Sequence, residues 1–344
     1  SGDNNTADGD VEDGDIGASY YLDGEIYILG KQNDNTDEYD AHVIAHEWGH
    51  YFEDNFSRSD STGGDHVLGE DLLDKSLAFG EGFGNALSGM ITNNPIYLDV
   101  GGPSQGLVEV LMDLDGDFNL DSDASSYESA LLIDGFYSEM SVQEVLYDLF
   151  DSGNDDDDSV SLGFSPLYEV FVNGQKTTTA HTSIFSFLYY LKLNNPELAS
   201  DISDIASAEN IPDGDEFDGE GMELYMTIFA DGSVIESDED GDPIETLFEY
   251  YDSYEDDEVG SKLFDILYFK ADDLSAGCYV FEANLLSGSQ ILTDSLSEPD
   301  YEEKDDDTVS HIELSQTQDA VFRVAGLGGS SRVSVSLSEN ISCD

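Results

Sequence analysis

Hydrophobic positions along this chain recur with two different periods, and the change from one to the other divides it. Between residues 37 and 57, Val43, Ile44, Glu47 and Tyr51 fall at helical spacing, and acidic residues crowd the first turn, where the helix dipole favours them. A second helix is predicted over 71–92, with Leu72, Leu73, Leu77, Phe83, Leu87 and Met90 as its apolar set and Asn93-Asn94-Pro95 as its stop. Further helices are predicted at 139–151, at 182–193 (ended by Asn194-Asn195-Pro196) and at 197–208. Ahead of the first helix, residues 18–32 read as strand, turn and strand, with Asp23-Gly24 as the turn. From about residue 261 the period falls to two. Short alternating runs such as KLFDILYFKA, GCYVFEANLL and SRVSVSLSE are separated by turn residues, which is the pattern of a β-sandwich.

The fold expected is therefore α+β. A polar lead-in (1–17) precedes a mainly helical domain with a small edge β-element (18–260), and an all-β sandwich module (261–344) follows. The acidic, Gly-rich stretch 209–260 reads as a helix mixed with linker.

Charge narrows what such a fold can do. Ten Lys and Arg stand against 78 Asp and Glu, a formal net charge of −68. A surface this negative repels nucleic acid and anionic membranes, and no apolar run is long enough to span a bilayer. Two explanations of the charge stay open: solvation in salty water, and calcium sites. Asp113, Asp115, Asp117, Asn119 and Asp121 alternate in MDLDGDFNLDSD, and oxygen ligands at every second residue suit calcium. The loop departs from the EF-hand pattern, since no Glu closes it, so a solvated loop is the alternative. The two cysteines, Cys278 and Cys343, both lie in the β module and read as a disulfide. That implies an oxidising compartment and a secreted protein.

The chemistry concentrates in HVIAHEWGHYFED. His46 and His50 are one turn apart on one helix face, so both imidazoles can reach one zinc ion, and Glu47 at their flank can take a proton from zinc-bound water. Gly49 inside this helix costs about 1 kcal/mol against Ala, which suggests close packing or room for a ligand. A third His six residues after His50 is absent, because that position is Phe56, and Glu53 stands where the metzincin pattern needs Gly. In FGEGFGNALSG, by contrast, Glu81 is a carboxylate within a strongly apolar helix face, where it wants a metal or a partner.

With these segments in order, the chain resembles the gluzincin zinc metallopeptidases, the group of thermolysin and fungalysin, of bacterial secreted type. ASYYLDGEIYILG is similar to their edge strand and hairpin, HVIAHEWGH to their zinc helix, and FGEGFGNALSG to fungalysin's Gly-Glu-Gly helix; the likeness covers about residues 17–92. The resemblance implies a zincin-type domain hydrolysing a peptide or protein substrate, with one zinc on His46, His50 and Glu81. It implies Glu47 as general base, and a substrate-binding edge at Ala18, Ser19, Tyr20 and Tyr21. Asn85 stands where the family has the Asp that orients a zinc-bound His. The family's oxyanion-stabilising donor has no clean equivalent: Tyr137 and His181 are the candidates, against a core aromatic and a helix-start residue. His42 lies one turn before His46, His66 lies between the ligand helices where it could line the cleft, and His311 belongs to the β module. The rivals to a general peptidase are a non-catalytic zinc-containing binding protein and a narrow glycoprotein-directed peptidase. Oligomeric state is left open.

Overall fold

In the computed structural model the residues described are 4–5, 15–64, 66, 68, 72–116, 134–151, 160–236, 263, 266–287, 291–295, 308–326 and 332–340. The architecture is α+β. Within the lead-in, β1 (Asn4–Asn5) pairs in parallel with β2 (Asp15–Ile16), and Ile16 is buried. A hairpin follows, β3 (Tyr20–Leu22) and β4 (Glu25–Tyr27). Its turn residues Asp23 and Gly24 both have positive φ, 49° and 82°, the backbone that suits a two-residue turn between twisted strands.

A 3₁₀ turn (Asp37–Tyr39) leads into α1 (Ala41–Phe56), and α2 (Lys75–Thr92) packs across it. Two glycines set that crossing. A Cβ on Gly49 would lie 3.0 Å from the Cα of Gly84, and a Cβ on Gly84 would lie 2.9 Å from the imidazole of His46. Gly49 is thus explained by close packing: the helices meet backbone to backbone, and the His46 ring lies flat against α2. Asp74 caps α2 by accepting from Ser76 N–H, and Asn93 ends it in the left-handed conformation.

The hairpin β5 (Ile96–Gly101) and β6 (Leu107–Asp113) follows α2. Next come α3 (Glu139–Phe150), α4 (Phe164–Glu169) continuing as π-helical turns (Val170–Gln175), α5 (Ile184–Asn194) and α6 (Ala199–Ala208). Phe52, Phe79, Phe83, Phe171 and Phe187 sit at the centre of the helical core.

The remaining strands are β7 (Tyr225–Thr227), β8 (Asp231–Glu236), β9 (Ile266–Leu274), β10 (Gly277–Ser287), β11 (Ile291–Ser295), β12 (Val309–Leu314), β13 (Gln318–Gly326) and β14 (Arg332–Asn340). They form two four-stranded sheets, β12-β10-β14-β8 and β11-β13-β9-β7. The sheets share one core in which Phe281 of the first stacks on Phe322 of the second, ring centroids 4.6 Å apart. Two of these strands, β7 and β8, precede residue 261, and the described part of 209–260 holds strand where helix was expected. The sandwich strands thus begin at Tyr225, ahead of the change of texture at 261. Cys278 is the second residue of β10, opposite Asn340 at the end of β14. Cys343 lies outside the described residues.

β13 is buried almost along its whole length because both faces are covered. Phe322 and Val324 face the sandwich core, while Val321 and Ala325 join Ala180, Phe217, Tyr225 and Tyr268 against the helical side. This junction is also polar. The Tyr268 hydroxyl donates to both oxygens of Asp74 (2.8 and 3.0 Å), and Arg323 donates to the carbonyl of Asp60. Lys75 is buried with its Nζ 2.7 Å from the Tyr225 hydroxyl and over the Tyr225 and Tyr268 rings; burial pushes its pKa down to about 7.

Candidate metal centre

Helix α1 places His46 and His50 on one face, and the close crossing brings Glu81 of α2 up to them. The Nε2 atoms of the two histidines are 3.0 Å apart. Glu81 Oε2 lies 3.2 Å from Nε2 of His46 and 3.5 Å from Nε2 of His50. An ion with tetrahedral bonds of 2.0–2.1 Å holds neighbouring ligand atoms about 3.3–3.4 Å apart, so this triangle has the size of one face of a zinc site. Two imidazole nitrogens converging on a carboxylate oxygen are three lone-pair donors aimed at one point.

The tautomer of His46 follows from its other nitrogen. Nδ1 lies 2.8 Å from Asn85 Oδ1, so Nδ1–H donates there and Nε2 keeps its lone pair for the centre. Asn85 in turn donates through Nδ2 to Glu139 Oε2 at 3.4 Å. The carboxylate that is missing at position 85 is therefore supplied one step further out, by the first residue of α3. Burial alone would raise the pKa of Glu81, but the His50 charge and the close approach of both imidazoles outweigh it and hold the carboxyl well below its ordinary value.

Glu47 is buried beside the triangle. Burial pushes its pKa up, against the opposing pull of His46 and His50. The backbone N–H of Tyr21 donates to its carboxylate. This contact follows from the hairpin register. Leu22 and Glu25 close the two-residue turn, so Tyr21 and Ile26 form a non-hydrogen-bonded pair, and the N–H and C=O of Tyr21 point away from β4. The open edge of β3 thus runs past the centre. Of the other residues expected at that edge, Tyr20 stacks on Tyr27, Ser19 donates to Asp37, and Ala18 is exposed just before the strand.

His66 belongs to the site as well. Its Nδ1 faces the Gly64 carbonyl at 3.2 Å, and its Nε2 lies 3.8 Å from both Glu81 Oε2 and Glu139 Oε1. Burial lowers its pKa, but Glu139 and Glu81 raise it further, and the net direction is upward. The two oxyanion candidates are placed otherwise. His181 is fully buried at the junction, with Nδ1 3.2 Å from the Tyr225 hydroxyl; burial, then Arg323, Lys75 and Arg58, push its pKa well down. The Tyr137 hydroxyl donates to the Asp134 carbonyl, and its ring packs on Phe136 in the helical core. His42 contacts Thr92 and the Asn94 carbonyl, and His311 sits exposed on β12. Of the proposed calcium ladder, Asp113 ends β6 and its Oδ1 accepts from Asp115 N–H, while Asp117, Asn119 and Asp121 lie outside the described residues.

Glu139 is the residue that sequence reasoning did not bring into the centre, whereas His66 was expected to line the cleft. A glutamate opening a helix whose next positions are Met140 and Val142 is the one signal that marks Glu139 as buried. Compared with models of protein families, with curated proteins and with solved structures, the chain matches none.

Proposed function

We propose that this chain is a zinc metallopeptidase of gluzincin type, with a zincin-like helical domain and the β-sandwich as its accessory unit. One observation carries the reading: three donor atoms from His46, His50 and Glu81, at tetrahedral spacing, with an acid–base residue buried next to them. A bound zinc ion would supply Lewis acidity towards a substrate carbonyl and would acidify water. The chain's own residues do the rest. His46, fixed through Asn85 and Glu139, and His50 hold the ion with Glu81. The open edge of β3 takes an extended peptide by strand addition, with the outward C=O of Tyr21 as its free polar group. Glu47 accepts a proton from the attacking water and returns it to the leaving amine. His66, with Nε2 turned to the centre, is the donor placed to meet negative charge developing on the substrate oxygen. Export belongs to the same proposal and rests on pairing of Cys278 with Cys343; two free thiols in a non-reduced peptide map would remove that support.

The decisive comparison is wild type against Glu47→Gln. Both should carry one zinc per chain, and His46→Ala/His50→Ala should carry none. In a peptide-library digest Glu47→Gln should lose about 10²–10⁴-fold in turnover with little change in substrate affinity. Equal cleavage by Glu47→Gln and wild type would reject Glu47 as the base. A wild type that binds zinc and a partner but cuts nothing would make the chain a binding protein.

A further inference from the structure

A second group of converging side chains lies at the other end of α1. Asp37 opens the 3₁₀ turn that leads into the helix, Asp40 follows that turn, and Asp99 comes from β5; one oxygen from each lies within 4.8 Å of the others. Asp37 is only 4% exposed. Its Oδ2 accepts from Ser19 Oγ at 2.5 Å, and its Oδ1 is buried with no hydrogen-bond partner. Asp99 Oδ1 and Asn35 Oδ1, the latter on the segment bridged to Gly101, are buried without partners too. Asp40 is the N-cap of α1, yet its side chain does not cap the helix. Its Oδ2 accepts instead from Val100 N–H at 3.2 Å, and its carboxyl meets that of Asp99. An N-cap aspartate that forgoes its helix to face another carboxylate needs a reason.

No cation among the described residues supplies one. Among the described residues, no lysine or arginine pairs with Asp37, Asp40 or Asp99. The groups that face them are Glu38, Glu109 and the His42 imidazole, and burial lowers the pKa of His42, favouring its neutral form. We propose that Asp37, Asp40 and Asp99 hold a calcium ion that fastens the N-terminus of α1 to β5 and, through Ser19, to the hairpin whose edge passes Glu47. The donors are all hard oxygens. Calcium takes them at 2.3–2.6 Å, so ligands on opposite sides of the ion stand about 4.6–5.2 Å apart, which covers the spread seen here. The ion would satisfy the orphaned oxygens and cancel the repulsion among the three carboxylates. Burial and the neighbouring carboxylates raise the pKa of Asp37 to about 6 and of Asp99 to about 7, as expected where negative charge is crowded and a counter-ion is wanted. The site shares no residue with the zinc centre and stands or falls independently of it.

The test uses the full chain, zinc-loaded, in about 0.5 M NaCl so that general screening is already saturated. Calcium or magnesium is added to about 1 mM, and bound calcium, bound zinc and melting temperature are measured. Wild type should bind calcium saturably and melt several degrees higher with it. Asp37→Asn/Asp99→Asn should bind one calcium fewer, keep its zinc, and melt above wild type in calcium-free buffer, because two opposed charges are gone. Asp99→Asn alone should show the same signs, more weakly. Equal calcium binding by wild type and both variants would overturn the site, as would magnesium raising the melting temperature as much as calcium. So would variants that melt below wild type without calcium.

Discussion

At the scale of single residues, the centre is a chain of contacts running outward from His46. The convergence of His46, His50 and Glu81 was legible in the sequence, because His46, Glu47 and His50 occupy fixed helical offsets and Glu81 is a charge inside an apolar stripe. The support behind it was not, because nothing periodic links Asn85 to Glu139, 54 positions later. Only folding shows that an uncharged amide at position 85 relays to a carboxylate on α3. Asn85→Ala removes the acceptor for His46 Nδ1–H and leaves the ring free to change tautomer. Its zinc affinity, measured by competition with a chelator, should fall about 10–100-fold. An unchanged affinity would mean that Asn85 does not orient the ligand. Tyr137 and His181 show the opposite limit: residue type made them candidates, but the Tyr137 hydroxyl is engaged with the Asp134 carbonyl and His181 is buried at the junction beside Tyr225.

At the scale of elements, the long helices follow from their apolar spacing and stop signals, with boundaries shifted by a few residues. The β5–β6 hairpin and the 164–175 helix were not legible. The hairpin's strands carry exposed apolar residues such as Leu98, Leu107 and Val108, which blur the alternation, and a π-helical stretch does not keep a 3.6-residue period. The turn before α1 escaped as well, since its aspartates read as helix-start acids although Asp37 and Asp40 are turned into a buried cluster. That cluster makes a prediction with a definite sign. Asp37 and Asp99 are raised in the folded chain from 3.8 to about 6 and about 7, so between about pH 4 and 7 the folded state holds protons that the unfolded state has released. Their contribution to stability is therefore full at the acid end and is lost as pH rises through that window. In calcium-free buffer the melting temperature of wild type should fall relative to Asp99→Asn as pH rises from about 4.5 to 7.5. Saturating calcium should flatten the difference. A gap that is constant with pH would mean that Asp99 titrates normally.

At the scale of the whole molecule, a net charge of −68 sets the conditions under which any of this is stable. Like charges on one surface repel over about 10 Å at 0.1 M salt and over only about 3 Å at 1 M. The melting temperature should therefore climb from dilute buffer to about 1 M NaCl, and a flat titration would show that self-repulsion is not a significant term. The sequence divided the chain into a helical and a β part, but it did not show how tightly they interlock. Composition changes at 261, whereas β7, β8 and the double-sided burial of β13 belong to three-dimensional pairing that no local pattern announces. The interlock has an effect in time. Asp74, which caps the helix carrying Glu81, is gripped by Tyr268, a residue 194 positions later in the chain. During synthesis the histidine pair leaves the ribosome first, while the helix that carries Glu81 still lacks the strand that secures its first turn. The first turn of that helix therefore gains its grip only after β9 has been made, so the order of translation sets when the crossing that carries Glu81 is secured.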